Sequence, residues 1–175
     1  MVGNSISRQQ IDLTKLTKFE IYGCNALYRE FEPDHLIITD INMIKEMMGT
    51  NYHLNHNVYT LPSVNFLIDR VLTTLPNQTE ELCPSGIRAV KLSLEKHTKI
   101  YMLGMDFTND NVYKGTPTYG DHWDFNKWIK DIEHVINKHK DLNFIRIGAQ
   151  KHNITPYSNF KEITVQEFTN KYYTY

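Results

Sequence analysis

The chain has 175 residues, 41% of them hydrophobic, and a formal net charge of −1. That size allows one domain with its own core, and we expect a single domain over residues 1–175. The near-neutral charge excludes a bulk electrostatic case for binding nucleic acid or membranes, although a local basic groove would still fit. Two cysteines without a C-x-x-C pair make no disulfide framework. Without a signal-peptide core in Met1–Gln10 or a run of about 20 apolar residues, we expect a cytoplasmic protein without a membrane span.

Apolar runs alternate with helical patterns, which favours an α/β fold with a mainly parallel sheet. The predicted strands are Phe19–Cys24, Leu36–Thr39, Val58–Leu61, Lys99–Met105 and Asn143–Ile147. The predicted helices are Asn42–Met48, Asn65–Leu75, Ser85–Lys96 and Asp124–Lys140. Because Lys99–Met105 is almost continuously apolar, we expect helices on both faces of the sheet. Only Met1 and Val2 precede the Gly3-Asn4-Ser5 turn, so the first strand is very short or the sheet begins differently.

Two asparagines follow predicted strands. Gly3-Asn4-Ser5 can bring backbone N–H groups close to a phosphate, because glycine permits a close approach. A disordered terminus is the alternative. Asn25 stands at the carboxyl end of the next strand, where α/β sheets bind ligands, and its amide suits a ribose or a base edge. The alternative for Asn25 is an ordinary turn residue.

Three further segments carry candidate chemistry. Ser85-Gly86 opens a helix whose free N–H groups would bind an anion, unless Ser85 is a plain N-cap. Asp106 ends the central strand and leads into the long polar loop Thr108–Asp121, whose tyrosine hydroxyls can bond a phosphate. His122 precedes a helix and lies outside its apolar stripe; there the helix dipole favours a neutral imidazole that can act as a base. A surface histidine is the alternative.

The histidines do not predict a metal site. His53 and His56 are three residues apart but have no third ligand at a suitable spacing, and neither H-E-x-x-H nor D-x-D is present. We therefore expect no metal.

In chain order these segments resemble glycosyltransferase family 42, the small bacterial sialyltransferases. That family has a G-N-G-P-S-L turn, a Cys-Asn-x-Phe-Tyr strand end, a Thr-Ser-Gly helix start, a Gly-Ile-Asp-Phe-Tyr strand end, and then a tyrosine and a histidine before a long helix. The corresponding segments here are Val2-Gly3-Asn4-Ser5-Ile6-Ser7, Cys24-Asn25-Ala26-Leu27-Tyr28, Pro84-Ser85-Gly86, Gly104-Met105-Asp106-Phe107-Thr108, Tyr113 and His122.

The resemblance implies a variant Rossmann-like sheet of the GT-A type and an inverting transfer from a CMP-sugar without metal or cofactor. His122 would deprotonate the hydroxyl acceptor, and Tyr113 would hydrogen-bond the departing phosphate. The donor-binding residues that it implies are Gly3, Asn4, Ser5, Asn25, Asp40, Ser85, Gly86, Asp106 and Tyr113.

The chain departs from the family at Ala26, Asp40, Leu82 and Thr108, and the resemblance implies that most of these positions surround the donor sugar. Asp40 would repel the carboxylate of sialic acid, which favours an uncharged sugar such as a pentose. The chain is also shorter than family members, and it has no clear lid insertion and no basic, membrane-associated C-terminus.

The acceptor, the oligomeric state and the function class stay open. The abundance of Lys, Asn, Ile and Tyr indicates an A/T-rich genome, and a short transferase from such a genome suits a bacteriophage and a host cytoplasm. The acceptor would then be a hydroxylated cytosine in phage DNA, approached over a basic rim formed by Lys114, Lys127, Lys130 or Arg88. The alternatives are sialyltransferase-like transfer to a glycan, a CMP-sugar hydrolase, and a non-catalytic nucleotide-binding module.

Overall fold

A computed structural model of the chain describes residues 1–76, 83–119, 124–149 and 153–173. Its strands are β1 (Tyr22–Cys24), β2 (His35–Ile37), β3 (Val58–Thr60), β4 (Thr73–Thr74), β5 (Lys99–Leu103), β6 (Asn143–Ile147) and β7 (Phe160–Ile163). They form two ladders of parallel strands, in the orders β1-β2-β3-β4 and β5-β6-β7. The expected α/β class with parallel strands is therefore confirmed.

Val2 joins the two ladders. It forms parallel bridges with both Gly23 of β1 and Leu103 of β5, and its N–H donates to the Tyr22 carbonyl at 2.8 Å. Val2 is thus a one-residue strand at the centre of the sheet, which settles the question of a missing first strand. From Val2 the strands continue outward to β4 on one side, and the chain then returns to place β5 on the other side.

The helices are α1 (Ile41–Gly49), α2 (Pro62–Phe66), α3 (Ser85–Ser93), α4 (Phe125–Lys138) and α5 (Val165–Tyr172). Helices α3 and α4 pack on one face of the sheet, against side chains such as Ile37 and Met102. Helices α1 and α5 cover the other face, where Leu36 and Leu103 point. This alternation explains the continuous apolar strands and confirms helices on both faces. Within the described ranges, no helix has the length and apolar character needed to cross a bilayer.

The prediction of a helix over Asn65–Leu75 is wrong. Helix α2 ends at Phe66, Asp69 and Arg70 adopt positive φ values of 55° and 58°, and Thr73–Thr74 form β4. The Asn65 side chain explains the break, because its Nδ2 donates to Leu72 O at 2.7 Å and its Oδ1 accepts from Leu72 N at 3.1 Å. An asparagine that bonds the backbone in this way competes with helical hydrogen bonds.

Other boundaries differ less. The predicted strand Phe19–Cys24 begins only at Tyr22, because Phe19 packs among Tyr101, Phe168 and Tyr172. Strand β7 and helix α5 were not predicted. The start of α5 carried a readable signal, since Thr164 and Glu167 form a reciprocal capping box.

Candidate functional site

A cleft opens at the carboxyl ends of Val2, β1 and β5, where the strand order reverses. Its open space is about 570 Å³, including the part that meets solvent. Ligands of open α/β sheets bind at this edge and at this reversal. The cleft is lined by Gly3, Asn4, Ser5, Cys24, Asn25, Pro84, Gly86, Ile87, Gly104, Met105, Phe107, Thr108, Asn111, Tyr119, Phe125 and Trp128.

Asn4 is 5% exposed and is held in one orientation. Its Nδ2 donates to the Cys24 carbonyl at 3.1 Å and to the Tyr119 hydroxyl at 3.0 Å. Because a carbonyl oxygen can only accept, these bonds fix which end of the amide faces Cys24. Asn4 Oδ1 is left as a buried acceptor with no hydrogen-bond partner among the described residues. Such an acceptor costs about 1–3 kcal/mol until it finds a donor, so this atom favours a ligand that presents N–H or O–H.

Asn25 and Thr108 add two more polar atoms of the same kind. Asn25 Oδ1 and Thr108 Oγ1 are buried and have no hydrogen-bond partner in the described part of the chain. Asn25 also adopts a left-handed φ of 50° where it leaves β1, a conformation that asparagine tolerates better than most residues. The cleft therefore holds three unsatisfied polar atoms from three separate segments.

The backbone at the end of β5 is strained. Phe107 has a φ of 53°, and a bulky residue in that region costs about 1–2 kcal/mol. The neighbouring Asp106 is fixed on both sides: its N–H donates to Ser5 Oγ at 3.1 Å, and its carboxylate accepts from Ser7 Oγ at 2.9 Å. Asn153 Nδ2 donates to Asp106 O at 2.9 Å. Strain held in this way concentrates at functional sites.

Helix α3 points its first turn at the cleft. The N-cap residue is Pro84, which supplies no side-chain acceptor, so the first N–H groups of the helix need partners from outside it. The positive end of the helix dipole lies there as well and favours an anion. A Cβ on Gly86 would make ordinary van der Waals contacts, 3.6 Å from Met1 Cε and 3.7 Å from Cys24 Sγ, and would occupy space that is now free. The glycine therefore keeps this corner open.

Five of the predicted donor-binding residues meet in the cleft: Gly3, Asn4, Ser5, Asn25 and Gly86. Asp40, Ser85, Asp106 and Tyr113 are not among its lining residues. Asp40 is exposed and caps α1, accepting from the N–H groups of Asn42 and Met43 at 2.8 and 2.9 Å. Ser85 is the first residue of α3 rather than its cap, and its hydroxyl lies 2.8 Å from the Thr39 hydroxyl.

Asp106 and Tyr113 lie behind the cleft. Asp106 is fully buried, and this burial raises the pKa of its carboxyl group. The Tyr113 hydroxyl donates to Glu30 at 2.5 Å and accepts from Arg8 Nη2 at 2.8 Å. Both side chains therefore support the cleft instead of lining it. The catalytic candidate His122 lies outside the described residues, as does Leu82.

Tyr119 is the tyrosine of the long loop that reaches the cleft. Its hydroxyl accepts from Asn4 at 3.0 Å and from Asn111 Nδ2 at 3.3 Å, and burial raises its pKa. Tyr113 was predicted because it fits the motif order, whereas nothing in the spacing separates two tyrosines of one loop. The aromatic residues Phe125 and Trp128 were also missed, because they belong to the apolar stripe of α4.

A second cavity of about 720 Å³ lies at the opposite, amino end of the strands. Its main polar group, Glu20, already bonds His35 at 2.6 Å, His97 at 2.8 Å and Lys96 at 3.0 Å. These bonds hold the pKa of Glu20 down at about 2, with the His35 bond as the largest cause. The cavity is larger than the cleft, but its carboxylate is satisfied by the protein itself.

Comparison of the chain with protein-family models, curated proteins and solved structures found no match. In the described ranges, no group of three or more His, Cys, Asp or Glu side chains is placed to hold a metal ion. The interpretation of the cleft therefore depends on its geometry and on the motif resemblance.

Proposed function

We propose that this chain is an inverting glycosyltransferase that binds a CMP-activated sugar in the carboxyl-end cleft. The observation that carries the proposal is the convergence of the unpaired Asn4 and Asn25 oxygens with the first turn of α3. A nucleotide offers complementary groups, since its ribose and base supply N–H and O–H donors and its phosphate suits the helix start. The parallel strand order is compatible with the Rossmann-like sheet that the proposal implies.

The choice of a cytidine nucleotide and of the reaction type comes from the motif resemblance. Its segments are far apart in the chain, yet Gly3-Asn4-Ser5, Asn25, Pro84, Gly86 and part of Gly104–Thr108 line one cleft. Any parallel α/β sheet brings the carboxyl ends of its central strands to one edge. The convergence therefore supports a ligand site at this edge, and the cytidine assignment rests on the identity of the motif residues.

In the proposed reaction, His122 takes the proton of the acceptor hydroxyl, and that oxygen attacks the anomeric carbon of the donor sugar. The bond from the anomeric carbon to the phosphate oxygen breaks, and CMP leaves with the electron pair. The α3 dipole stabilises the charge on the departing phosphate, and Tyr119 takes the hydrogen-bonding role first predicted for Tyr113. The transferred proton ends on His122, and the anomeric configuration inverts.

The structure bears on the residues behind two of the expectations. The expectation of an uncharged donor sugar depended on Asp40, which caps α1 outside the cleft. The basic rim for a DNA acceptor is also reduced: Arg88 is 1% exposed and donates to Cys83 O at 3.0 Å, while Lys127 pairs with Asp131 at 2.7 Å. Lys114 and Lys130, the other two candidates, are exposed, so the proposal names a hydroxyl acceptor and keeps a modified DNA base among the candidates.

A thermal-shift series with CMP, UMP, GMP and AMP tests this proposal. A selective ligand at 100 times its Kd stabilises the fold by about 2.7 kcal/mol, so CMP is expected to raise the melting temperature most. Equal shifts with all four nucleotides, or none, would contradict the cytidine assignment. With a CMP-sugar donor, full-rate CMP release without any acceptor would instead favour the hydrolase.

A further inference from the structure

The part of the cleft wall that carries Tyr119 is a loop fixed at its start by backbone bonds. Asn111 forms an antiparallel bridge with Ser5, and Val112 N donates to Asn4 O at 2.9 Å. After these contacts the chain turns through residues 113–118 before Tyr119 enters the cleft. The position of Tyr119 therefore depends on what holds that turn.

Arg29 and Glu46 hold the turn from outside. They form a two-point ion pair, with Arg29 Nε 2.8 Å from Glu46 Oε1 and Nη2 2.8 Å from Oε2. From the same guanidinium, Nη1 donates to Thr116 Oγ1 at 2.8 Å and Nη2 donates to Pro117 O at 3.0 Å. Glu46 also accepts a bond from the Thr118 hydroxyl. Three consecutive residues of the turn are thus tied to one ion pair.

Thr118 is strained, with a φ of 63°. A β-branched residue is a genuine outlier in this left-handed region, and such a conformation persists only where surrounding contacts enforce it. Here those contacts come from Glu46 and Arg29. Because Thr118 directly precedes Tyr119, release of the strain would move the Tyr119 side chain.

The ion pair is also connected to the cleft through the chain that follows β1. Arg29 ends the 3₁₀ turn Asn25–Arg29, which begins at the cleft residue Asn25, and Glu46 lies on α1. The Arg29 and Glu46 side chains are 23% and 26% exposed. A forked, partly buried pair of this kind is stronger and more directional than a surface ion pair.

We infer that Arg29 and Glu46 are positioning residues that hold the 116–118 turn so that the Tyr119 hydroxyl stays beside Asn4. Neither residue lines the cleft, and both act on the site through Tyr119. The inference rests on the proposed function only for the identity of the ligand.

The first test needs no ligand. The protein is labelled with 3-fluorotyrosine, and Tyr119→Phe identifies the Tyr119 signal among the 11 tyrosines. Arg29→Gln is expected to shift or broaden that signal. The matched control is Arg70→Gln, because Arg70 stacks on the Phe66 ring with its Cζ 5.6 Å from the ring centroid. A Tyr119 signal that Arg29→Gln leaves unchanged in a folded protein would overturn the inference.

The second test measures CMP affinity by calorimetry. Arg29→Gln is expected to weaken CMP binding about tenfold in the natural chain but less than about twofold in the Tyr119→Phe background, because coupled residues are not additive. Arg29→Lys keeps the charge but not the two-point geometry, so its CMP affinity is expected to lie between those of the natural chain and Arg29→Gln. Equal losses in both backgrounds would show that Arg29 affects CMP binding independently of the Tyr119 hydroxyl and would overturn the positioning role. If CMP does not bind at all, the proposed function fails while the fluorine result still decides the positioning role.

Discussion

The two ends of the sheet each carry a cavity, and the two cavities differ in how their polar groups are satisfied. At the carboxyl end, Asn4 and Asn25 leave buried oxygens without partners among the described residues, and Phe107 and Thr118 hold strained backbone. At the amino end, the Glu20 carboxylate is bonded by two histidines and a lysine. The amino-end cavity is the larger of the two.

The two cavities differ in what their polar groups can offer a ligand, and this difference does not follow from their size. A polar group bonded by its own protein stabilises the fold and has little to offer a ligand. A buried polar group without a partner lowers stability until a ligand supplies one. The proposal therefore places binding at the carboxyl end and gives the amino end a structural role.

The largest expected effect is on the rate of sugar transfer, and it distinguishes His122 from His97. His122→Ala is expected to lower the rate of sugar transfer about 10²–10⁴-fold, because a positioned general base contributes that much. His97→Ala removes a histidine that bonds Glu20 and packs against the Tyr22 ring at the amino end, and the transfer rate of this variant should stay within about twofold wherever it is folded. Steady-state assays at one temperature compare the two. Unchanged turnover in His122→Ala would refute the base assignment.

Two substitutions, one at each end of the sheet, are expected to differ in their effect on CMP affinity. Asn4→Ala removes the unpaired acceptor together with the Nδ2 bonds to Cys24 and Tyr119, so it should weaken CMP binding about tenfold and also lower the free energy of unfolding. Glu20→Ala leaves His35 without its carboxylate partner and should lower the free energy of unfolding by about 1–3 kcal/mol, with CMP affinity unchanged. Calorimetry gives the affinities, and urea unfolding gives the stabilities. A loss of affinity in Glu20→Ala would mean that the amino end binds the nucleotide.

Acid stability should depend on the amino end. The pKa of Glu20 is lowered from 4.5 to about 2 in the folded chain, so its ionised form stabilises the fold above pH 4.5. That contribution is lost as the pH falls from 4.5 towards 2. Glu20→Gln should flatten the decline of unfolding free energy across this window. Equal pH slopes for the variant and the natural chain would contradict the assignment.

The smallest expected effect concerns Gly86. An added Cβ would make ordinary contacts of 3.6–3.8 Å with Met1, Cys24 and Met105, so Gly86→Ala should keep the unfolding free energy within about 1 kcal/mol. The same methyl group narrows the corner at the start of α3 and should weaken CMP binding a few-fold. Tighter binding in the variant would place the phosphate elsewhere.

The sequence predicted the centre of the sheet better than its edges. Strand β6 matched the prediction and β5 began where expected, because both faces of these strands are buried and their apolar runs are continuous. The prediction of a helix over Asn65–Leu75 was wrong because the apolar spacing cannot show that the Asn65 side chain hydrogen-bonds the Leu72 backbone. Strand β4 consists of two exposed threonines and carries no apolar signal.

The candidate site followed the same pattern. Residues directly after central strands, such as Asn4 and Asn25, were predictable because parallel strands end at a common edge. Tyr113 and Tyr119 lie six positions apart in one loop, and only three-dimensional contacts show that the first bonds Glu30 and the second reaches Asn4. The Arg29–Glu46 ion pair could not be predicted from the sequence for a similar reason, because its residues are 17 positions apart and no local pattern connects them.

Nuclear magnetic resonance of the ¹⁵N-labelled 20.6 kDa chain during a CMP titration tests the central claim most directly. The account predicts that the largest amide shifts fall on Gly3, Asn4, Asn25 and Gly86, with little change at Glu20 and His97. Shifts concentrated at Glu20 and His97, or no shifts at millimolar CMP, would contradict it.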